Sequence, residues 1–150
     1  MLLIRKATPT DAEMLCDLYT NHLTKNPPKE PPDMAAWREK LSSFAADPFY
    51  HILVGCVEER VVSAVTLIVV ENLTHNHKPY ALIENVVTHA DYRGRRYARQ
   101  LMDKASDIAV ELGCYKIMLL TGSKQDSTLR FYENCGFNRN DKTGFIKWLK

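Results

Sequence analysis

Four arginines surround one glycine where a β-rich run gives way to a long helical pattern. The arginines are Arg93, Arg95, Arg96 and Arg99, and the glycine is Gly94. A turn of this kind leaves the first backbone amides of the helix unpaired, and the helix dipole adds partial positive charge there. Amides and guanidinium groups together suit a bound pyrophosphate. A helix start with a solvated basic face remains open as the simpler interpretation.

The charge of the whole chain argues against two classes of partner. Lysine and arginine number 20 against 18 acidic residues, a net charge of +2, so no basic field covers the molecule. One short basic run is a poor footprint for nucleic acid, a hypothesis that predicts salt-dependent binding. The longest apolar run, residues 64–70, is far shorter than the roughly 20 residues that cross a bilayer. We therefore expect no nucleic-acid partner and no membrane association.

A single carboxylate interrupts an apolar strand pattern over residues 82–86. Glu84 must find water, an ion partner or a ligand there, because burying an unpaired carboxylate costs free energy. Strict alternation predicts that Glu84 shares a face with Val86 and Thr88, while Asn85 points to the other face in a structural role. Three roles stay open for Glu84: a catalytic base, a ligand for an amine, and a salt-bridge partner.

Histidines and cysteines form no strong metal pattern. His75 and His77 lie in a polar loop, but alternate loop residues seldom converge on one ion and no third ligand stands out. We expect no metal, and predict instead that residues 72–77 contact a substrate. The four cysteines lack C-x-x-C spacing, which predicts reduced thiols in a cytoplasmic protein.

Strand and helix patterns must position these groups. The clearest helix covers residues 98–112, with Gly113 placed to end it, and caps are predicted at Thr8, Asp33 and Ser123. The order β-α-α-β-β-β-α-β-α-β predicts one α/β domain over residues 1–150, with a mixed sheet and helices on both faces. The predicted strands cover residues 2–5, 50–57, 61–70, 80–88, 116–120 and 145–149.

Two distant motifs resemble a known family. The turn from Arg93 to Ala98 is similar to the acetyl-CoA motif of GNAT N-acetyltransferases, Arg/Gln-x-x-Gly-x-Gly/Ala, with Arg93 first and Ala98 last. Arg96 stands where that pattern has its middle glycine, so its side chain would either crowd the phosphates or contact them. Residues 131–137 are similar to the family's late Phe-Tyr-x-x-x-Gly-Phe stretch. The element order also resembles the GNAT layout along nearly the whole chain.

The resemblance implies the GNAT fold, with a mostly antiparallel sheet, and acetyl-CoA as cosubstrate. It implies that Tyr132 is the general acid for the CoA thiolate, although a packed core tyrosine remains open. It implies that Glu84 is the base, directly or through water. It also implies that Tyr19, His22 and the proline-rich segment of residues 24–33 wall the acceptor site. The residues implied to bind the cofactor are Val86, Val87, Thr88, Arg93, Gly94, Arg95, Arg96, Tyr97, Ala98 and Arg99.

The function expected from this resemblance is transfer of the acetyl group of acetyl-CoA to a primary amine, by direct attack in a ternary complex. A small-molecule acceptor, an amine or amino sugar, is the leading expectation because residues 83–94 resemble the corresponding strand of glucosamine-phosphate acetyltransferases. A peptide or protein amine stays open, as does a non-catalytic CoA-binding sensor or interaction module. The resemblance also implies a homodimer, since GNAT domains often dimerise.

Overall fold

A five-stranded sheet forms the centre of the computed structural model, which describes residues 1–149. The strands are β1 (Leu3–Lys6), β2 (Tyr50–Val57), β3 (Arg60–Val70), β4 (Tyr80–Thr88) and β5 (Ile117–Leu119). The helices are α1 (Ala12–His22), α2 (Met34–Ala46), the short α3 (Thr74–His77), α4 (Tyr97–Glu111) and α5 (Asp126–Asn134). The sheet order follows the chain order, with β1 to β4 antiparallel to their neighbours and β5 parallel to β4.

Helices cover both faces of the sheet, which confirms the predicted α/β fold class. One core cluster packs α1 and α2 against the sheet, and a second packs α4 and α5 against the opposite face. Because β3 is covered on both sides, its residues 61–67 are all buried, as expected of an apolar strand in a central layer. No helix within residues 1–149 combines the length and apolar character needed to cross a bilayer.

Local signals in the sequence set several element ends. Asp33 caps α2, and its carboxylate accepts a hydrogen bond of 3.1 Å from the amide three residues on. Gly113 follows α4 with a φ of 76°, the left-handed conformation predicted for a glycine helix stop. The predicted cap at Ser123 is wrong: the backbone is still extended at Gln125, and α5 begins only at Asp126.

The predicted final strand over residues 145–149 is wrong. That segment has no strand pairing, although its alternating pattern suits a strand. A strand forms only where a neighbour supplies a hydrogen-bonding ladder. β5, at one edge of the sheet, is three residues long and offers little backbone to pair with. The exposed apolar side chains of this tail are Phe145, Ile146, Trp148 and Leu149.

A buried ion pair joins β1 to the start of α1. Both carboxylate oxygens of Asp11 accept from the Arg5 guanidinium at 2.7 Å, and one also accepts from the Thr8 amide at 2.8 Å. Burial alone would raise the pKa of Asp11, but the hydrogen bonds from Arg5 and Thr8 outweigh it and lower the pKa below its ordinary value of 3.8. The ionised carboxylate therefore stabilises the fold.

We expect Asp11→Asn to lower the free energy of unfolding by about 2 kcal/mol at pH 7, less than for a fully buried pair because Arg5 is partly exposed. The loss follows because the asparagine side chain has a single oxygen, so it can accept only one of the two hydrogen bonds that the guanidinium donates to Asp11. Since the folded pKa is depressed, this stabilisation disappears as the pH falls below 3.8, and the two proteins should converge there. Urea denaturation measures both effects. The exposed Asp17→Asn on the same helix is the control, and an equal loss in it would contradict the argument.

Candidate active site

A bulge in β4 sets the geometry of the site. Asn85 has a φ of 53°, a left-handed conformation that asparagine tolerates better than most residues. The ladder between β3 and β4 slips at this point: Thr66 lies opposite Glu84, but Ala64 lies opposite Val87. Two steps along β3 therefore match three steps along β4, so β4 carries one extra residue.

The extra residue reverses the predicted face of Glu84. Glu84 shares a face with Val87, which belongs to the core cluster under α1 and α2. Val86 packs instead against the cluster under α4, and Thr88 lies opposite Ser63 on that same side. The prediction that Glu84 shares a face with Val86 and Thr88 is wrong because it assumed unbroken alternation along the strand.

β4 and β5 diverge beside the bulge. Their parallel ladder has three residue pairs and ends where Ile83 lies opposite Leu119. Along this edge, the backbone of residues 84–88 has no strand partner within the part of the chain that the structure describes. A cavity of about 590 Å³, the β4–β5 cavity, opens there. It is lined by His22, Leu23, Lys25, Ile83, Glu84, Asn85, Val86, Arg93, Leu119, Leu120, Thr121, Gly122, Ser123, Gln125, Thr128 and Tyr132.

Tyr132 reaches the β4–β5 cavity from α5. Its ring packs edge to face against Phe131 and Phe137, with centroid distances of 5.1 and 6.4 Å. Burial raises the pKa of Tyr132, and Cys135 and the Glu84 carboxylate raise it further. The phenol therefore keeps its proton at neutral pH, the form that a proton donor needs. One cavity thus brings together the two residues that the sequence singled out for proton transfer.

The turn before α4 has the shape of an anion cradle. Gly94 and Arg96 have φ values of 75° and 62°, so left-handed residues alternate with an ordinary one along the turn. Successive backbone amides converge in such a turn. A helical hydrogen bond runs from the Gln100 amide to the Arg96 carbonyl, which leaves the amides of residues 97–99 ahead of it without a helical acceptor. These amides and those of the turn suit an anion.

The four arginines of the turn differ in how they are engaged. Arg99 forms an ion pair with Asp103, with 2.9 Å between Nε and Oδ1, and donates to the carbonyl of the last residue of α5. Arg93 donates from Nε to the carbonyl oxygen at the end of β4, at 3.2 Å. The Arg95 guanidinium lies 5.2 Å from the centroid of a tyrosine ring. Arg96 has no side-chain partner within residues 1–149, so its charge is available to a ligand.

We expect Arg96→Gly to raise the free energy of unfolding by about 1 kcal/mol, because a non-glycine residue pays roughly that much in a left-handed conformation. Urea denaturation followed by circular dichroism measures the change. Gly94→Ala is the matched control with the opposite sign, since an added Cβ would meet no atom within 4 Å and only the conformational cost would change. A destabilised Arg96→Gly protein would show that the arginine stabilises this turn through contacts.

A second cavity, of about 410 Å³, lies on the face of the sheet that α1 and α2 cover. Most of its walls are aromatic or aliphatic, and we call it the aromatic cavity. Asn85 lines both cavities, so the bulge borders each of them. The sequence predicted only a structural role for Asn85. Its place in the cavity walls was missed because it depends on the left-handed bulge. The aromatic cavity is lined by Leu15, Tyr19, Ala36, Trp37, Lys40, Leu41, Phe44, Tyr50, Ile52, Thr66 and Asn85.

The residues predicted to wall the acceptor site do not all line the same cavity. Tyr19 lines the aromatic cavity, and His22 lines the β4–β5 cavity. The His22 ring lies 4.1 Å from the His89 ring, between centroids. Burial lowers the pKa of His22, and His89 and Arg93 lower it further, which favours a neutral imidazole. The prolines of residues 27–32 line neither cavity.

The predicted substrate loop over residues 72–77 lies elsewhere. It precedes β4, at the end of the strand opposite the arginine turn, and it lines neither cavity. His75 stacks on Tyr115 with 3.8 Å between ring centroids, so this loop packs on the start of β5. No group of three or more potential ligating side chains that could hold a metal occurs in residues 1–149.

The sequence matches the acetyltransferase (GNAT) family model over residues 12–137. A relative from Trypanosoma brucei brucei, named glucosamine 6-phosphate N-acetyltransferase, is 28% identical over 81% of this chain and 79% of its own length. A relative from Drosophila melanogaster, named "Probable glucosamine 6-phosphate N-acetyltransferase", is 28% identical over 62% of this chain. The match spans 41% of that relative's length.

A solved structure is similar to this protein over nearly the whole chain. A protein from Agrobacterium tumefaciens str. C58, assigned as an acetyltransferase, is 38% identical and superposes with a TM-score of 0.88. The superposition covers 98% of this chain and 99% of that one. The two proteins therefore share their fold over nearly the whole chain.

Proposed function

The chain belongs to the GNAT acetyltransferase family, and on that premise we propose that it transfers the acetyl group of acetyl-CoA to a primary amine of a small molecule. The attack is direct, in a ternary complex of protein, acetyl-CoA and amine. The single observation that carries the proposal is the meeting of Glu84 and Tyr132 in one cavity, where β4 and β5 diverge.

The turn and the strand edge fit the parts of acetyl-CoA. Amides of residues 94–99 and the free guanidinium of Arg96 suit its diphosphate. The unpaired edge of residues 84–88 suits the amide groups of its pantetheine arm, because an exposed strand edge accepts an extended chain as one more strand. Val86, Val87 and Thr88 are the strand residues, and acetyl-CoA supplies the thioester that donates the acetyl group.

Glu84 and Tyr132 divide the proton transfers. Glu84 accepts the proton that the ammonium form of the substrate must lose before its nitrogen can attack the acetyl carbon. The second proton, lost by the nitrogen once its bond to carbon has formed, replaces the proton that Tyr132 gives up. Tyr132 donates a proton to the sulfur as the carbon–sulfur bond breaks, so the thiol leaves in neutral form. The raised pKa of Tyr132 supports this role, since the phenol arrives protonated. Backbone amides at residues 86–88 polarise the acetyl carbonyl.

An amino sugar is the acceptor that the relatives' names favour, at identities near 28%. The replacement of the motif glycine by Arg96 favours a second candidate, a CoA-binding sensor without turnover, because a side chain there alters the phosphate turn. One experiment separates these: calorimetric titration with acetyl-CoA, followed by a thiol-release assay over a panel of primary amines. Saturable binding with amine-dependent thiol release supports the transferase. Binding without release on any amine supports the sensor, and absence of binding removes both.

We also propose a homodimer in the cytoplasm. The exposed apolar side chains of residues 145–149 support it, because an interface with a second copy would cover them. The free thiols of all four cysteines support a reducing compartment. Light scattering on the full chain at micromolar concentration tests the assembly, and a mass of one chain would count against it.

A further inference from the structure

The helix that carries Tyr132 is only lightly buried. None of the nine residues of α5 is fully buried, and its apolar contact with the core comes from the partly buried rings of Phe131 and Tyr132. An element with so little buried surface shifts more readily than the core does. Polar contacts at the ends of α5 therefore have a large influence on where the Tyr132 hydroxyl lies.

The C-terminal end of α5 leaves one carbonyl for a side chain to satisfy. Gly136 follows the helix with a φ of 92°, and its amide donates to the carbonyl of Glu133 at 2.9 Å. The amide of the next residue donates to the Tyr132 carbonyl at 3.1 Å. Helices commonly end in this way at a left-handed glycine. No backbone amide in the described chain donates to the carbonyl of Asn134, the last residue of α5.

The side chain of Arg99 supplies the donor that this carbonyl lacks. It reaches from the first turn of α4 and donates from a terminal guanidinium nitrogen to the Asn134 carbonyl. Its Nε donates to both carboxylate oxygens of Asp103, one turn further along α4, at 2.9 and 3.1 Å. The helix dipole also favours a cation at a helix C-terminus. The planar guanidinium thus joins α4 to the end of α5, with donors in two directions.

This bridge lies at the surface and has more effect on geometry than on stability. The side chains of Arg99 and Asp103 are 43% and 56% exposed, and exposed ion pairs contribute little to the free energy of unfolding. Burial raises the pKa of Tyr132 most, followed by Cys135 and Glu84, and Arg99 does not contribute to that shift. The bonded carbonyl lies two residues beyond Tyr132, within the same turn of helix. Arg99 can therefore influence Tyr132 through position rather than charge.

We propose that Arg99 is a positioning residue for the proton donor: its guanidinium bridges Asp103 and the C-terminus of α5, and so holds the Tyr132 hydroxyl at the β4–β5 cavity. The inference rests on the proposed acetyl transfer and deepens it. It also changes the role that family resemblance implied for Arg99. The side chain is directed to α5, so the backbone amide is the part of this residue that remains for the diphosphate.

Arg99→Met removes these hydrogen bonds while keeping a long, unbranched side chain. We expect kcat to fall about 10-fold, because a displaced hydroxyl donates less effectively to the sulfur, while the Kd for acetyl-CoA changes less than about 3-fold. A raised Kd with unchanged kcat would identify a phosphate ligand and overturn the inference. Arg130→Met is the matched control, since it removes an ion pair of the same spacing, to Asp126 at 2.8 Å within α5, and should keep the wild-type kcat.

A double-mutant cycle with Tyr132→Phe separates positioning from a general structural effect. If Arg99 acts by placing the Tyr132 hydroxyl, there is no hydroxyl to place in the Tyr132→Phe protein. Arg99→Met should then change kcat by less than about 2-fold in that background. A structural role would lower kcat about 10-fold in both backgrounds, so additive losses would overturn the inference.

A measurement without turnover separates this inference from the proposed function. In protein labelled with 3-fluorotyrosine, the fluorine resonance of Tyr132 is the one of seven that Tyr132→Phe lacks. Arg99→Met should shift that resonance, and Arg130→Met should leave it unchanged. A shifted resonance in a protein that acetylates no amine would retain the positioning role and reject the transferase. An unshifted resonance in a protein that does acetylate amines would reject the positioning role and retain the transferase.

Discussion

Tyr132→Phe is expected to lower kcat about 100-fold while the Kd for acetyl-CoA changes little. The substitution removes one hydroxyl from a ring that stays packed between Phe131 and Phe137. Loss of a positioned general acid commonly costs 10²-fold or more, because the thiolate must then leave without a proton. Steady-state kinetics with a thiol-release assay give kcat, and calorimetry gives the Kd.

The alkaline part of the pH–rate profile distinguishes proton donation from packing. Burial, Cys135 and Glu84 raise the pKa of Tyr132 above its ordinary value of 10.0, so the wild-type rate should fall only above that pH, as the phenol ionises. The Tyr132→Phe protein has no phenol to ionise at this position and should lack that fall. Tyr115→Phe, at the opposite end of the sheet, is the control. A profile and kcat equal to wild type in Tyr132→Phe would remove the acid assignment.

Local sequence signals predicted the parts of the site that depend on local structure. The helical pattern over residues 98–112 and Gly113 correctly located α4, and the glycine among the arginines correctly marked a turn before it. A short stretch of chain determines each of these, through backbone conformation and helix periodicity. The position of Tyr132 near the strands came only from family resemblance, because no local pattern links α5 to β4.

The β4 bulge shows why the face of Glu84 and the walls of the cavities could not be predicted from the sequence. Its left-handed residue is Asn85 rather than a glycine, so the interruption has only a weak marker in an otherwise apolar strand. One extra residue moves every later side chain to the other face of the sheet. Glu84 therefore does not share a face with Val86 and Thr88, as strict alternation predicted. The aromatic cavity is harder still, since its walls come from α1, α2 and three strands that are distant in the chain.

The tail shows a different limit. Alternation in residues 145–149 favours a strand, but strand formation also depends on a partner strand, which sequence spacing does not reveal. Within this one chain, β5 is too short to supply that partner.

Glu84→Gln should reduce kcat/KM for the amine about 10- to 100-fold near pH 7, with the Kd for acetyl-CoA unchanged. A primary amine resembles lysine, whose pKa is about 10.4, so most of it is protonated at neutral pH and cannot attack. In the wild type, Glu84 takes up the proton within the site. In the variant only amine that is already neutral reacts, so the rate should rise about tenfold per pH unit until the amine is deprotonated.

This steep pH dependence is the result that separates a base from a ligand or a structural carboxylate. If Glu84 only bound the ammonium group, its loss would raise KM without making the rate follow the ionisation of the amine. If it only stabilised the fold, the loss would appear in urea denaturation. Glu71→Gln, an exposed carboxylate just beyond β3 and outside both cavities, is the matched control and should keep the wild-type profile.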